Sequence, residues 1–105
     1  MTVYISSAIA NNPNYKMQFD DMQKRIEEKG HDVINPALFN FRRKLCYEEI
    51  MEFCLKVLDT ADAIVMFGNW ENSLGANREL GYALGKGIKV YYEYEGDFIA
   101  NEIYN

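Results

Sequence analysis

The chain has few of the residues from which metal sites and disulfide frameworks are built. Its 105 residues include only two cysteines, Cys46 and Cys54, and one histidine, His31. The cysteines have no partners at metal-ligand spacing, so we predict two free thiols. His31 follows a glycine at a predicted helix end, and we interpret it as structural. With no metal motif and no Ser-His-Asp arrangement, we expect neither a metal nor a cofactor.

Long apolar runs are also lacking. No window approaches the roughly 18 apolar residues of a membrane span. The first residues have no basic segment followed by an apolar stretch, so we expect no signal peptide. We therefore expect a cytoplasmic protein with no membrane partner.

Positive charge is scarce as well. The chain has 11 Lys and Arg against 16 Asp and Glu, and its net charge of −5 disfavours a nucleic acid polymer as partner. The one dense basic cluster, Arg42-Arg43-Lys44, we interpret as a solvated loop that can still guide an anionic ligand.

The composition is otherwise that of one globular domain over residues 1–105. Apolar residues make up 49% and charged residues 26%, which argues against intrinsic disorder. Eight Tyr, six Phe and one Trp supply large side chains for a core. Because so short a chain buries a small fraction of its surface, we expect a homodimer or higher homo-oligomer.

Hydrophobic periodicity predicts alternating strands and helices. The predicted strands cover residues 3–6, 31–35, 61–67 and 88–92, and a last short element follows residue 93. The predicted helices begin at Tyr15, Tyr47 and Gly75, and the first and third are closed by Gly30 and Gly87. This alternation predicts an α/β fold, a single Rossmann-like or flavodoxin-like domain. Its central, mostly parallel sheet of four to five strands is flanked by helices.

Apolar spacing also predicts which face of each helix is buried. The predicted core residues are Tyr15, Phe19, Met22 and Ile26 in the first helix, Ile50, Phe53, Cys54, Val57 and Leu58 in the second, and Ala76, Leu80, Ala83 and Leu84 in the third.

Two loops are placed where ligands bind in open parallel sheets, beyond the carboxyl ends of the strands. They are residues 6–14 and residues 68–75. The second loop enters the third helix, whose N-terminus can hold a phosphate with help from the Ser73 hydroxyl. Simple capping of the helix by Ser73 is the more common reason for such a residue.

Three further side chains near these loops can carry chemistry. Glu79, if directed into the cleft, can attack an electrophilic sugar carbon, although an exposed Glu complementing the helix dipole is the commoner case. Tyr4 can orient a carboxylate or a ligand, or simply pack in the core. Trp70 can stack on a nucleobase or cover a subunit contact.

Three segments together resemble the nucleoside 2-deoxyribosyltransferase superfamily, which includes the 2′-deoxynucleoside 5′-monophosphate N-glycosidases. They are Val3-Tyr4-Ile5-Ser6-Ser7-Ala8-Ile9, Ala61-Asp62-Ala63-Ile64-Val65 and Ser73-Leu74-Gly75-Ala76-Asn77-Arg78-Glu79-Leu80-Gly81-Tyr82-Ala83. The resemblance covers nearly the whole chain. It looks closest to a branch of small, mostly uncharacterised domains of bacteria and their viruses.

The resemblance implies an enzyme that hydrolyses or exchanges the N-glycosidic bond of a small nucleoside or nucleotide. In the family, a Glu at the place of Glu79 attacks C1′ of the deoxyribose and forms a covalent glycosyl-enzyme. Tyr4 matches the tyrosine that positions this nucleophile. The implied substrate-binding residues are Ser6, Ser7, Ile9, Trp70, Ser73, Gly75 and Asn77, with Ser73 and Gly75 at the place of a 5′-phosphate.

The sequence departs from the family at the acid that helps to protonate the leaving base. Cys54 stands where the family often has an Asp, and Asn77 stands where the N-glycosidase branch has a second phosphate-site glycine. An inactive module that binds a nucleotide or sugar phosphate, and a structural subunit of an oligomer, therefore remain as alternatives. Cys54 favours the binding module, whereas Glu79 together with Tyr4 favours the enzyme.

Overall fold

Strands and helices alternate along the chain as the periodicity predicts. The computed structural model describes residues 1–94 and 97–100, with side chains through residue 93. The elements are β1 (Thr2–Ser6), α1 (Tyr15–Glu27), β2 (Asp32–Ile34), α2 (Tyr47–Leu58), β3 (Ala63–Met66), α3 (Leu74–Lys86), β4 (Lys89–Tyr94) and β5 (Asp97–Ala100). Short 3-10 turns at Pro36–Leu38 and Trp70–Asn72 precede α2 and α3.

The strands form one sheet in the order β2-β1-β3-β4-β5. The first four strands are parallel, and β5 pairs antiparallel with β4. This confirms the predicted α/β fold with a mostly parallel sheet, and β5 supplies the short last element. The sheet order changes direction between β1 and β3, so the carboxyl ends of these strands border the crevice where such folds bind ligands.

Each face of the sheet has its own apolar cluster because successive strand side chains point to opposite faces. Odd-numbered strand residues pack with α1, in a cluster that includes Val3, Ile5, Phe19, Met22, Ile26, Ala63, Val65 and Phe67. Even-numbered residues pack with α2 and α3, in a cluster that includes Tyr4, Leu58, Ile64, Met66, Ala76, Ala83 and Val90.

The predicted buried face of α2 is wrong at Phe53. This side chain is 41% exposed and packs edge-on against Phe39 and Phe41 of the preceding loop, while Met51 is buried. The aromatic contacts hold the loop against the outer side of α2. The core-facing stripe of the helix therefore runs through Met51, Cys54 and Leu58.

The predicted buried face of α3 is wrong at Leu84, which is 38% exposed. The buried residues of this helix are Ala76, Glu79 and Ala83. Their spacing of three and four defines the stripe that faces the sheet, and Leu84 lies one position beyond it. A carboxylate therefore occupies a core position.

The predicted C-terminal glycine cap is confirmed for α3 and is wrong for α1. Gly87 is the C-cap of α3 in the left-handed conformation, with φ of +74°. Helix α1 instead ends at Glu27, and Gly30 closes a turn three residues later by donating its N–H to the Glu27 carbonyl over 2.9 Å.

Among the helices described in residues 1–94, none combines the length and the apolar character that crossing a bilayer requires.

Candidate active site

A buried carboxylate lies between α3 and the carboxyl end of β1. Glu79 is only 7% exposed. The hydroxyl of Tyr4 donates a short hydrogen bond to its Oε2, and the Ser6 hydroxyl donates to its Oε1 over 2.8 Å. Each oxygen of the carboxylate thus has its own hydroxyl donor. An exposed Glu that merely complements the helix dipole is excluded.

Strand β1 brings both donors to the same side of the sheet. Tyr4 and Ser6 are two residues apart, so their side chains point to the face covered by α2 and α3. Both are fully buried. Because β1 pairs with β2 on one side and β3 on the other, its backbone is held in register along this stretch. The donors are therefore fixed by the centre of the sheet rather than by a loop.

Burial sets the protonation behaviour of this pair. Loss of solvent raises the pKa of Glu79 above its usual range, while the hydrogen bonds from Tyr4 and Ser6 oppose the rise. The pKa of Tyr4 is also raised, first by burial and then by the charge of Glu79. Tyr4 therefore keeps its proton and acts as a donor.

Cys54 of α2 belongs to the same buried group. Its thiol is close enough to the Tyr4 hydroxyl to act as its hydrogen-bond partner. Burial raises the pKa of the Cys54 thiol, so the group is neutral at pH 7. The position that holds an acid in the resembling family thus holds an un-ionised thiol beside Tyr4. Cys46, at the N-cap of α2, is exposed, and both cysteines are free, as predicted.

Ser7 follows directly after β1 and has an unusual environment. It is 5% exposed, and its Oγ has no hydrogen-bond partner. The neighbouring Gly68 follows β3 with φ of +59°, and a Cβ there would lie 2.8 Å from the Ser7 oxygen. The glycine therefore makes room for the hydroxyl at the crevice between β1 and β3.

The N-terminus of α3 is capped by its own residues. The Ser73 side chain accepts a hydrogen bond from the N–H of Ala76 over 3.1 Å, which is the capping role expected of such a residue. The Asn77 amide donates to the carbonyls of Trp70, Glu71 and Ser73 at 2.8 to 3.3 Å. Asn77 therefore fastens the turn before α3.

Gly75 lies beside α2 at this helix end, where a side-chain Cβ would make only ordinary contacts. A Cβ at Gly75 would lie 3.5 Å from the Met51 sulfur and 3.7 Å from the Tyr47 hydroxyl. Arg78 ties the same two helices together, because its guanidinium pairs with Glu48 at 3.0 and 3.2 Å and lies over the Tyr47 ring.

The remaining predicted substrate contacts, Trp70 and Ile9, make no hydrogen bond or ring contact with Tyr4, Ser6 or Glu79 among those described in residues 1–93. Trp70 packs on Tyr92 of β4 with ring centroids 5.5 Å apart. Ile9 is 38% exposed in the loop after β1. In the basic cluster, Arg43 pairs with Glu49 of α2 at 2.5 Å, whereas Arg42 and Lys44 are exposed.

Two of the cavities on the described part of the molecule lie away from the carboxylate, since neither is lined by Tyr4, Ser6 or Glu79. One, of about 200 Å³, lies between Met1, Ile26, His31 and Tyr91, and the other, of about 340 Å³, lies between Lys16, Asn35 and Phe39. In residues 1–94 no group of three or more His, Cys, Asp or Glu side chains could hold a metal ion.

Sequence reasoning brought Tyr4 and Glu79 together but missed two contacts of the same group. Ser6 is predicted to contact substrate, and in the structure its hydroxyl donates a hydrogen bond to Glu79. Cys54 is predicted on the buried face of the second helix and at the place of the family's acid, but the sequence does not predict its contact with Tyr4. The two-residue alternation along β1 was the available signal for Ser6, because it places Ser6 on the same face as Tyr4.

Comparison with known proteins supports the fold. No curated protein matches the sequence. Among solved structures, the chain is similar to a 2-deoxyribosyltransferase from Bacillus psychrosaccharolyticus, with 20% identity, a TM-score of 0.68, and coverage of 88% of this chain and 71% of that one. For a CMP N-glycosidase of Clostridium botulinum the values are 23% identity, a TM-score of 0.64, and coverage of 88% and 70%.

A third similar structure is a 2-deoxyribosyltransferase from Leishmania mexicana, with 21% identity, a TM-score of 0.66, and coverage of 87% of this chain and 62% of that one. These likenesses confirm that the chain has the fold of the superfamily that its motifs resemble. A family model described as a domain of unknown function, DUF4406, matches residues 1–92. The chain is therefore a member of the DUF4406 family, built on the nucleoside 2-deoxyribosyltransferase-like fold.

Proposed function

We propose that the protein cleaves or exchanges the N-glycosidic bond of a deoxynucleoside or its 5′-monophosphate through a covalent bond between Glu79 and the sugar. The observation that carries this proposal is the buried Glu79 carboxylate with the Tyr4 hydroxyl on Oε2, at the carboxyl edge of a parallel sheet. The similar solved structures, a 2-deoxyribosyltransferase and a CMP N-glycosidase, support the same chemistry.

In the proposed reaction Glu79 attacks C1′ of the sugar while the bond from C1′ to the base breaks. The transition state is oxocarbenium-like, and a carboxylate beside it stabilises the developing positive charge. Tyr4 holds the carboxylate oxygen that does not attack. Water or a second base then displaces Glu79 from C1′, which completes hydrolysis or transfer.

We place the 5′ end of the substrate at the N-terminus of α3. The Ser73 hydroxyl oxygen already accepts the capping hydrogen bond from the Ala76 N–H, so a phosphate there is held mainly by the other first-turn N–H groups and the helix dipole. Gly75 leaves the backbone open to close approach. We assign to Ser7, whose buried hydroxyl has no partner, a hydrogen bond with the bound sugar.

Substrate entry requires side chains around Glu79 to shift, because the carboxylate is 7% exposed. We place the loop after β1, with Ile9, and the loop before α3, with Trp70, at the entrance of the substrate site. Trp70 packs only on the margin of the core, so it can turn towards a base without unpacking the sheet.

A nucleotide-binding module without catalysis is the second candidate, and Cys54 favours it. A neutral thiol with a raised pKa is a poor proton donor to a leaving base compared with a carboxylic acid. Bases whose leaving nitrogen is protonated by solvent do not need this group. The two candidate functions therefore share the binding site and differ in whether the N-glycosidic bond is cleaved.

The test is release of free base from a panel of deoxynucleosides and their 5′-monophosphates, followed by chromatography. Release that disappears in Glu79→Ala and persists in Glu52→Ala, an exposed acid of α2, supports the enzyme. A ligand-dependent rise in melting temperature without base release supports the binding module. Neither release nor a thermal shift with any member of the panel overturns the proposal.

A further inference from the structure

Ser6 gives the nucleophile a second hydroxyl donor whose role differs from that of Tyr4. Its Oγ lies 2.8 Å from Oε1 of Glu79, while Tyr4 holds Oε2. All three side chains are buried, with exposures of 0%, 0% and 7% for Tyr4, Ser6 and Glu79. When one carboxylate oxygen bonds to a sugar carbon, one of the two donors must lose its partner.

The geometry indicates which of the two donors can break its hydrogen bond to Glu79. The Tyr4 ring is fully buried among the residues of its apolar cluster, so its hydroxyl stays in the ring plane and remains at Oε2. The Ser6 hydroxyl turns about a single side-chain bond. In an ester of Glu79, the carbonyl oxygen stays a good acceptor, whereas the alkylated oxygen becomes a poor one.

We propose that Oε1 of Glu79 is the attacking oxygen and that Ser6 is a positioning residue that releases Oε1 in the first step and recaptures it in the second. This inference rests on the proposed function, since it assigns roles within the covalent reaction.

Both steps conserve atoms, electron pairs and protons. In the first, an electron pair of Oε1 forms the bond to C1′, and the pair of the C1′–N bond leaves with the base, which takes a proton from solvent. In the second, an oxygen of water bonds to C1′, the pair of the C1′–Oε1 bond returns to Glu79, and the proton of the water passes to solvent.

Ser6 must then affect the two steps in opposite directions. A hydroxyl binds an ionised oxygen more strongly than an ester oxygen. In the first step the negative charge on Oε1 disappears, so the Ser6 hydrogen bond favours the starting state. In the second step the charge returns, so the same bond favours the transition state.

One measurement needs no substrate. The carboxyl carbon of Glu79, labelled with carbon-13, is titrated by NMR in the wild type, in Ser6→Ala and in Ser7→Ala. The matched control removes the neighbouring hydroxyl, which has no partner. We expect the pKa of Glu79 to rise in Ser6→Ala, because a donor to the charged form is lost, and to stay unchanged in Ser7→Ala. An unchanged pKa in Ser6→Ala overturns the positioning role.

The second measurement separates the two steps by rapid quench, with intact mass detecting the glycosyl-enzyme. In Ser6→Ala the first step is expected to be unchanged or faster and the second about 10-fold slower, so that the intermediate accumulates. Ser6→Cys, which keeps a weaker donor, should lie between. Thr60→Ala, at the exposed end of α2, should behave as the wild type.

The outcomes separate the inference from the function on which it rests. Equal slowing of both steps in Ser6→Ala, with a wild type that forms the intermediate, overturns the assignment of Oε1 and leaves the enzyme standing. A wild type that releases base without any glycosyl-enzyme, or that releases no base, overturns the covalent mechanism and the assignment together. The NMR titration then still decides whether Ser6 holds the carboxylate.

Discussion

The Tyr4 hydroxyl is hydrogen-bonded to the Glu79 carboxylate although 75 positions separate the two residues in the sequence. Strand β1 and helix α3 meet at this contact, and both side chains are buried. Burial favours the protonated form of the acid, and the two hydroxyl donors favour the ionised form. The pKa of Glu79 reflects the difference between these two effects.

Glu79→Gln should lower base release by at least about a thousandfold, because an amide cannot form the covalent sugar bond. The same change should raise stability near neutral pH, since it removes a buried charge. Melting temperature and turnover, measured on the same preparation, check both directions. A variant that loses stability and keeps turnover contradicts the role of Glu79.

The stability of the wild type should depend on pH through Glu79. A carboxyl whose folded pKa is raised above the usual 4.5 binds its proton more tightly in the folded state. Its contribution is fully present below pH 4.5 and is lost as pH rises through the folded pKa. The difference in melting temperature between the wild type and Glu79→Gln should therefore shift in favour of the wild type on acidification from pH 8 to pH 5. A difference independent of pH would show that Glu79 titrates normally.

Tyr4→Phe should destabilise the protein by about 1–3 kcal/mol, because Oε2 of Glu79 loses its donor inside the core. The pKa of Glu79 should rise for the same reason. Urea unfolding and the carbon-13 titration measure the two effects. Tyr15→Phe makes the same chemical change on the opposite face of the sheet and should leave the pKa of Glu79 unaltered.

Cys54→Asp should destabilise the protein more at pH 8 than at pH 5. Two carboxyl groups beside one Tyr4 hydroxyl cannot both ionise without strong repulsion, so one pKa rises further. Cys54→Ser, which stays neutral, should show little pH dependence. Thermal melts of both variants across this pH range provide the comparison. An equal effect of Asp and Ser at all pH values would place residue 54 outside the electrostatic reach of Glu79.

Gly68→Ala should cost about 1–2 kcal/mol from its left-handed backbone alone, and more from the approach of its Cβ to Ser7 Oγ. The double variant with Ser7→Gly should recover only the steric part. Gly81→Ala, where a Cβ meets open space on α3, should instead stabilise by about 1 kcal/mol. A double-mutant cycle by urea unfolding measures the coupling, and additive effects would contradict the contact.

The strands and the sheet could be predicted from the sequence because their signals are local. The continuous apolar run around Ala63–Met66 indicates a strand buried on both faces, and the structure has it at the centre of the sheet. The pairing of Tyr4 with Glu79 came instead from a resemblance of motifs. Spacing alone favoured an exposed glutamate, since no local signal distinguishes a carboxylate held by a distant strand.

The wrong predictions of burial at Phe53 and Leu84 have one physical origin. Phe53 is apolar and regularly spaced, yet it is covered by Phe39 and Phe41 from an irregular loop rather than by the sheet. Leu84 falls beside the stripe of α3 because Glu79 defines that stripe. Which apolar side chain is buried depends on tertiary neighbours, and periodicity within one helix does not contain them.

The alignment of the Glu79 carboxylate follows from the pleat of a single inner strand. Both hydroxyls come from β1, whose side chains alternate between faces. A one-residue slip of β1 against β2 and β3 would turn both hydroxyls to the α1 side, away from the glutamate, and would move Val3 and Ile5 out of their apolar cluster at the same time. A change that loosens the pairing of β1 should thus disturb the site and the core together.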